Sequence, residues 1–191
     1  MEWTLSELVL PAALAGAVLL ALVGLGCLIF CRGTNRRHLA WTACVFVPVF
    51  LLFVGGNLLL GLFGLTWRNL PSGFFCAVLL ISGALGILFI LGCFLPLEMP
   101  EVAPVLRWAV KGMALLSAVL VLCCALFYGP LFAVFAFGGE ERVLEYQGQT
   151  LLEVENGFID PIYDYYEYHG PLVRGAELVY ARQYTPLDGN G

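Results

Sequence analysis

The 191-residue chain is 61% hydrophobic and only 12% charged, with a formal net charge of −5 and a mean hydropathy of +0.90. A water-soluble domain carries about 25% charged residues, so a surface wetted on all sides is excluded. Charge is also segregated: residues 139–191 hold ten acids against three arginines, giving −7, and residues 1–138 stand at +2. Nucleic acid and anionic lipid are therefore poor partners for the acidic tail, since both call for Lys/Arg patches.

In chain order, four stretches lack Asp, Glu, Lys and Arg: 8–31, 39–67, 69–97 and 112–139. Each exceeds the roughly 20 residues that a helix rising 1.5 Å per residue needs to cross hydrocarbon. Each is apolar around its whole circumference, as expected of a helix surrounded by lipid or other helices. The expected fold class is an all-α transmembrane four-helix bundle with a small C-terminal antiparallel β domain. The spans are placed at about 8–31, 41–66, 74–96 and 109–137 within a helical domain of residues 1–138, and the β domain takes 139–191. The first span is read as retained and not as a signal peptide. Acidic Glu2 and Glu7 precede it, no Lys or Arg does, and its apolar run exceeds the 7–15 residues of a signal core.

Sidedness follows from the basic residues near the span ends. Arg32, Arg36 and Arg37 lie between spans one and two, and Arg107 and Lys111 between spans three and four; only Arg68 and Arg142 lie on the other side. Five against two places the first and third connections in the cytoplasm, with both termini outside the cell membrane. Trp3, Trp41, Trp67 and Trp108 all fall near span ends, the headgroup level that indoles favour. Pro48 and Pro130 should kink the second and fourth helices.

Inside the spans there is little chemistry. No acid, base or histidine lies deep in any of them, which disfavours proton-coupled transport and intramembrane proteolysis. Asn57, beside Gly55-Gly56, is the candidate intramembrane polar contact, expected to bond to another helix. Small residues at four-residue spacing, such as Ala13, Ala17 and Ala21, suit close helix packing. All seven cysteines (Cys27, Cys31, Cys44, Cys76, Cys93, Cys123, Cys124) occupy apolar segments, where thiols act as small packing residues.

Beyond Gly138-Gly139 the apolar period becomes two. Arg142–Tyr146 and Thr150–Glu155 alternate around Gln147-Gly148-Gln149, the pattern of a hairpin. Asn156-Gly157 marks a turn and Asp160-Pro161 a break, after which Ile162–Tyr168 reads as an aromatic strand and Glu177–Tyr184 as a last alternating run. Three or four antiparallel strands over about 45 residues are too few to stand alone without disulfides or metal. The sheet is expected to dock on a membrane-facing loop, to pair with another copy, or to fold onto a partner.

Asp160, Asp164, Glu167 and His169 do not make a metal centre, because Asp164 and Glu167 point to opposite faces of one strand. No metal, cofactor or catalytic residue is assigned, as no phosphate-binding loop, paired histidine or Ser/His/Asp set occurs. Tyr163, Tyr165, Tyr166 and Tyr168 combine apolar area with a hydroxyl, the composition of recognition surfaces, and are the candidate partner-binding residues. The expected function is a non-enzymatic, multi-pass accessory protein in the lipid bilayer, whose helices anchor an extracytoplasmic domain for another membrane protein or for self-association. A channel, pore or transporter subunit acting as an oligomer is the alternative.

Overall fold

The computed structural model describes residues 5–98, 102–137, 139–156, 160 and 162–187. It contains helices α1 (Leu5–Phe30) and α2 (Thr34–Leu62), strand β1 (Leu65–Trp67), and helices α3 (Asn69–Phe94) and α4 (Pro104–Phe137). Strands β2 (Glu141–Tyr146), β3 (Gln149–Glu155), β4 (Ile162–Tyr168) and β5 (Val173–Gln183) complete the described chain. Trp3, Gly138, Gly157 and Pro161 lie outside the described residues, so the span-end, boundary, turn and break expected there are not seen.

Four helices are long and apolar enough to cross a membrane: Pro11–Phe30, Thr34–Leu62, Asn69–Phe94 and Pro104–Gly129. Their outward surfaces are apolar too, with Phe30 77%, Leu62 80% and Leu116 70% exposed. Water does not tolerate a continuous apolar surface of that extent. α2 and α4 begin before the charge-free stretches do, so Arg36, Arg37, Arg107 and Lys111 stand on helical turns and not in loops.

The chain forms two compact units, Met1–Val47 with Leu79–Gly129 and Pro48–Val78 with Pro130–Gly191. Two of the boundaries fall at Pro48 and Pro130, the positions where a helix loses an internal hydrogen bond. In the first unit α2 and α3 run side by side. Asn35 Nδ2 donates to the Gly92 carbonyl at 3.0 Å, and the His38 ring stacks on Phe89 at 5.2 Å. Lys111 Nζ donates to the carbonyl of Leu95, just past the end of α3, where a cation offsets the negative pole of the helix. Cys27, Cys31 and Cys93 are buried with Leu39, Ile90, Phe94 and Ala114. All seven thiols are free.

The second unit carries the sheet, ordered β1-β5-β4-β3-β2 and antiparallel throughout. The tail thus supplies four strands, and the fifth, β1, comes from the α2–α3 connection. Gly64, with φ +67°, ends α2 and turns the chain into β1; an L side chain rarely adopts that conformation. β2 and β3 are joined by Gln147-Gly148 with φ of 51° and 76°, the pair of positive values that a type I′ hairpin turn requires. The period-two pattern sorts the sides as expected. Leu152 and Val154 face one way, Leu151 and Glu153 the other, and all four are buried.

β1 is held against the helices by aromatic packing. The Trp67 and Phe75 rings lie 5.4 Å apart, and Phe75 meets Phe53 of α2 at 5.5 Å. Gly56 leaves the indole its place, because a Cβ there would sit 2.6 Å from Trp67 Cζ2. A ring edge cannot yield as a flexible side chain does. Gly56→Ala is therefore expected to displace Trp67 and destabilise the second unit by about 1–3 kcal/mol, read as a lower melting temperature of the purified protein in detergent. An unchanged melting temperature would contradict this packing.

Candidate functional site

The candidate site is the sheet together with the α2–α3 connection that carries it. Because β1 is only three residues long, side chains must secure it. Its register sets Leu65 against Gly175 and Trp67 against Val173; Ala176 N–H donates to the Gly64 carbonyl at 2.8 Å and Arg68 N–H to the Leu172 carbonyl at 3.0 Å. Glu141, the first residue of β2, then closes a clamp. Its Oε2 accepts from Arg68 Nε at 2.8 Å and lies 2.7 Å from Arg68 Nη2, while Oε1 accepts the Asn69 backbone N–H at 2.9 Å. One carboxylate therefore both neutralises Arg68 and caps the N-terminus of α3, where free N–H groups and the helix dipole favour an anion. The side chains of the pair are 15% and 10% exposed. Arg68 Nη1 also donates to the Gly170 carbonyl at 3.3 Å, and its guanidinium lies 5.7 Å from the Tyr168 ring centre.

On the other side of the sheet, Tyr165 is the centre. It is 0% exposed and packs with Leu144, Leu151 and Leu187, with Tyr146 and Tyr163 around them. Its hydroxyl donates to Glu153 Oε2 at 2.6 Å and accepts the Leu187 N–H at 2.7 Å, so the chain beyond β5 is tied back over this side. Tyr184, at φ +69°, makes the reversal. Burial, and after it the bond to Glu153, push the Tyr165 hydroxyl up to about 12, with the Leu187 N–H pulling the other way.

The four tyrosines named from the sequence are therefore brought together, but not as an open surface. β4 is an interior strand. Tyr165 is a core residue and is withdrawn as a partner contact, because no part of it reaches solvent. Tyr163 packs beside that core, Tyr168 lies under Arg68, and Tyr166 lies under the Arg174 guanidinium at 3.8 Å. Asn57 is exposed on α2 and is not turned to a neighbouring helix. Asp164 pairs in register with Val154 and Glu167 with Leu151, on opposite sides of β4, and no cluster able to hold a metal ion occurs among the described residues.

Exposed apolar and aromatic side chains of the sheet cluster on β5 and just after it, with Leu178 51%, Val179 40%, Tyr180 42% and Tyr184 62% exposed; Leu172 before β5 is 57% exposed, and Val143 on the edge strand β2 is 44% exposed. Since β1 pairs with Val173–Gly175, one edge of β5 beyond Ala176 has no neighbouring strand among the described residues. The alternating run Glu177–Tyr184 was the available signal for this strand; that it forms an edge depends on the strand order, which the local sequence does not carry. Comparison with protein-family models, curated proteins and solved structures finds no match to the chain.

Glu141→Gln is expected to free β1 from β5. It leaves Arg68 in place without its anion; breaking a fully buried pair costs about 3–5 kcal/mol, and this partly buried one is expected to cost about 1–3 kcal/mol. Hydrogen exchange at the Arg68 and Ala176 amides should rise sharply, and Arg68→Met combined with Glu141→Leu should recover part of the loss; full protection in Glu141→Gln would refute the clamp. A second expectation concerns alkaline pH. A free phenol titrates near pH 10, so the stability that rests on a protonated Tyr165 is complete below that value and is lost as pH rises through about 12. Tyr165→Phe should flatten the unfolding of the tail in that window, followed by circular dichroism. It should also cost about 1–3 kcal/mol at neutral pH, because Glu153 and the Leu187 N–H lose their partner.

Proposed function

We propose that this chain is a multi-pass membrane protein whose four helices anchor an extracytoplasmic sheet, and that the sheet binds another membrane protein through the edge of β5. The reading rests on one observation above the others: Leu178, Val179, Tyr180 and Tyr184 are exposed on and just after a strand with an unpaired edge. Such an edge presents a row of backbone donors and acceptors that an extended segment of a partner completes, while alternate side chains supply selectivity. Register shifts against β4, between Tyr165 and Tyr166 and between Tyr166 and Tyr168, distort the ladder at this strand. Irregularity of that kind works against open-ended stacking and favours a partner shaped to it.

Sidedness is supported in two ways. The basic residues of the first and third connections, Arg32, Arg36, Arg37, Arg107 and Lys111, outnumber Arg68 and Arg142. β1 precedes α3 and β2 follows α4, yet both belong to one sheet. Two crossings between them return the chain to the side it left. An oligomeric channel subunit is the second reading, favoured by the exposure of Asn57 on an otherwise apolar helix face.

Partner capture tests the first reading. The intact chain, a form lacking residues 140–191, and Leu178→Asp with Tyr180→Asp are compared in intact cells by cross-linking from the outer surface. Partners are expected with the intact chain and lost in both altered forms. The same partners in all three would defeat the β5 assignment, and a tail sealed from external protease would defeat the sidedness. Flux through a defined oligomer in liposomes, unaffected by removing the tail, would establish the second reading instead.

A further inference from the structure

In the first unit the helices do not close on one another everywhere. An apolar groove of about 450 Å³ runs between them, with Ala21, Gly24, Ala43, Gly83, Gly86 and Ala125 among its walls. Thr42 and Ser82 supply the polar side chains of its lining, and each donates its hydroxyl to its own helix, to the His38 carbonyl at 2.8 Å and the Leu79 carbonyl at 3.4 Å. The wall thus offers a ligand little but hydrocarbon contact. One end of the groove, at Leu28 and Leu39, lies a helical turn from Arg32, Arg36 and Arg37. These three guanidiniums are exposed around the start of α2, and none is paired with a carboxylate among the described residues.

We infer that this groove and its arginines hold one anionic phospholipid, with an acyl chain between the helices and the phosphate on Arg32, Arg36 and Arg37. Size decides between occupants. Two turns of a helix about 10 Å across and 11 Å long displace roughly 800 Å³, more than the groove contains. A methylene group takes about the volume of a water molecule, ~30 Å³, so the groove accommodates roughly fifteen of them, one acyl chain. Charge selects the headgroup, because unpaired arginines at the cytoplasmic end of a helix hairpin attract anionic lipid. The lipid occupies the space left open between these walls.

The inference rests on the reading of the helices as membrane-spanning, which is checked separately by resistance of the protein to carbonate extraction. The full chain, purified in mild detergent, is titrated with phosphatidylglycerol, phosphatidylcholine or inorganic phosphate, and retained adducts are measured by native mass spectrometry. Phosphatidylglycerol is expected to bind about tenfold more tightly than phosphatidylcholine, with one molecule per chain and little displacement by inorganic phosphate. Arg32→Gln, Arg36→Gln and Arg37→Gln combined should remove that preference. Ala43→Phe and, in a separate variant, Ala84→Phe should fill the groove and abolish retention of both lipids, with the melting temperature reporting that each variant is folded. Equal binding of the two lipids by the unaltered chain would overturn the inference. So would undiminished phosphatidylglycerol binding in both folded groove-filling variants, full displacement by inorganic phosphate, or a second copy of the chain in place of lipid. A protein that leaves the membrane in carbonate overturns the spanning reading; one that stays but retains no phosphatidylglycerol overturns only this inference.

Discussion

The sheet depends on the carboxylate of Glu141. Three elements meet at it: the start of β2, the residue that follows β1, and the first turn of α3. None of these is secure alone. Three residues of β1 make too short a ladder, an uncapped helix end leaves N–H groups unsatisfied, and a buried Arg68 without an anion is costly. Because a single group answers all three needs, the connection between two apolar helices becomes part of the sheet. A tail of about 45 residues buries too little apolar surface to fold independently. It gains a strand and a helix terminus by docking here, and Leu151, Leu152, Glu153 and Val154 are then all buried on the two sides of β3.

The core of the sheet follows the same logic from the other side. Tyr165 brings a large apolar ring to the centre, and its hydroxyl must then be satisfied there. Glu153 is its cross-strand neighbour and the returning chain supplies the Leu187 N–H, so both lone-pair and proton demands are met. The rings of Tyr146 on β2 and Tyr180 on β5, strands with β3 and β4 between them, meet edge to face at 6.0 Å over this side. Tyrosines that look like a binding patch in composition thus serve largely as the scaffold that holds β5 in place.

What was legible in the sequence was local. A charge-free run of sufficient length is a helix wherever it occurs, and the four helices were found by that criterion. The helices begin before the spans read from the sequence, at Thr34 against about 41 and at Pro104 against about 109. The reason is physical, since a helical backbone satisfies its own hydrogen bonds in any solvent, so α2 and α4 run on through the charged residues Arg36, Arg37 and Arg107. The Gln147-Gly148 turn was legible too, because positive φ has a compositional signature. β1 was not. Leu65, Thr66 and Trp67 lie within a charge-free run, and their partners Val173–Gly175 are more than a hundred residues away. Pairing across that distance leaves no period to read, and without it neither the strand order nor the open edge of β5 can be deduced. The choice of Tyr165 as a contact failed for the same reason, since only strand order makes β4 interior.

Within lipid, burying apolar surface gives no advantage to a neighbouring helix over an acyl chain, so shape decides what touches what. Where a neighbour fits, small residues let it approach: a Cβ on Gly16 would stand 3.4 Å from Ser117 Cβ, and one on Gly92 would stand 3.1 Å from Asn35 Nδ2. Close approach is not complete closure: a Cβ on Gly83 would meet Phe46 at 3.5 Å and one on Gly86 would meet Thr42 at 3.6 Å, yet both glycines also line the groove. An empty groove in hydrocarbon forfeits dispersion contacts on every wall, and polar side chains that would admit water are lacking. On the proposed reading an acyl chain is the filler, because hydrocarbon restores the lost contacts without needing polar partners.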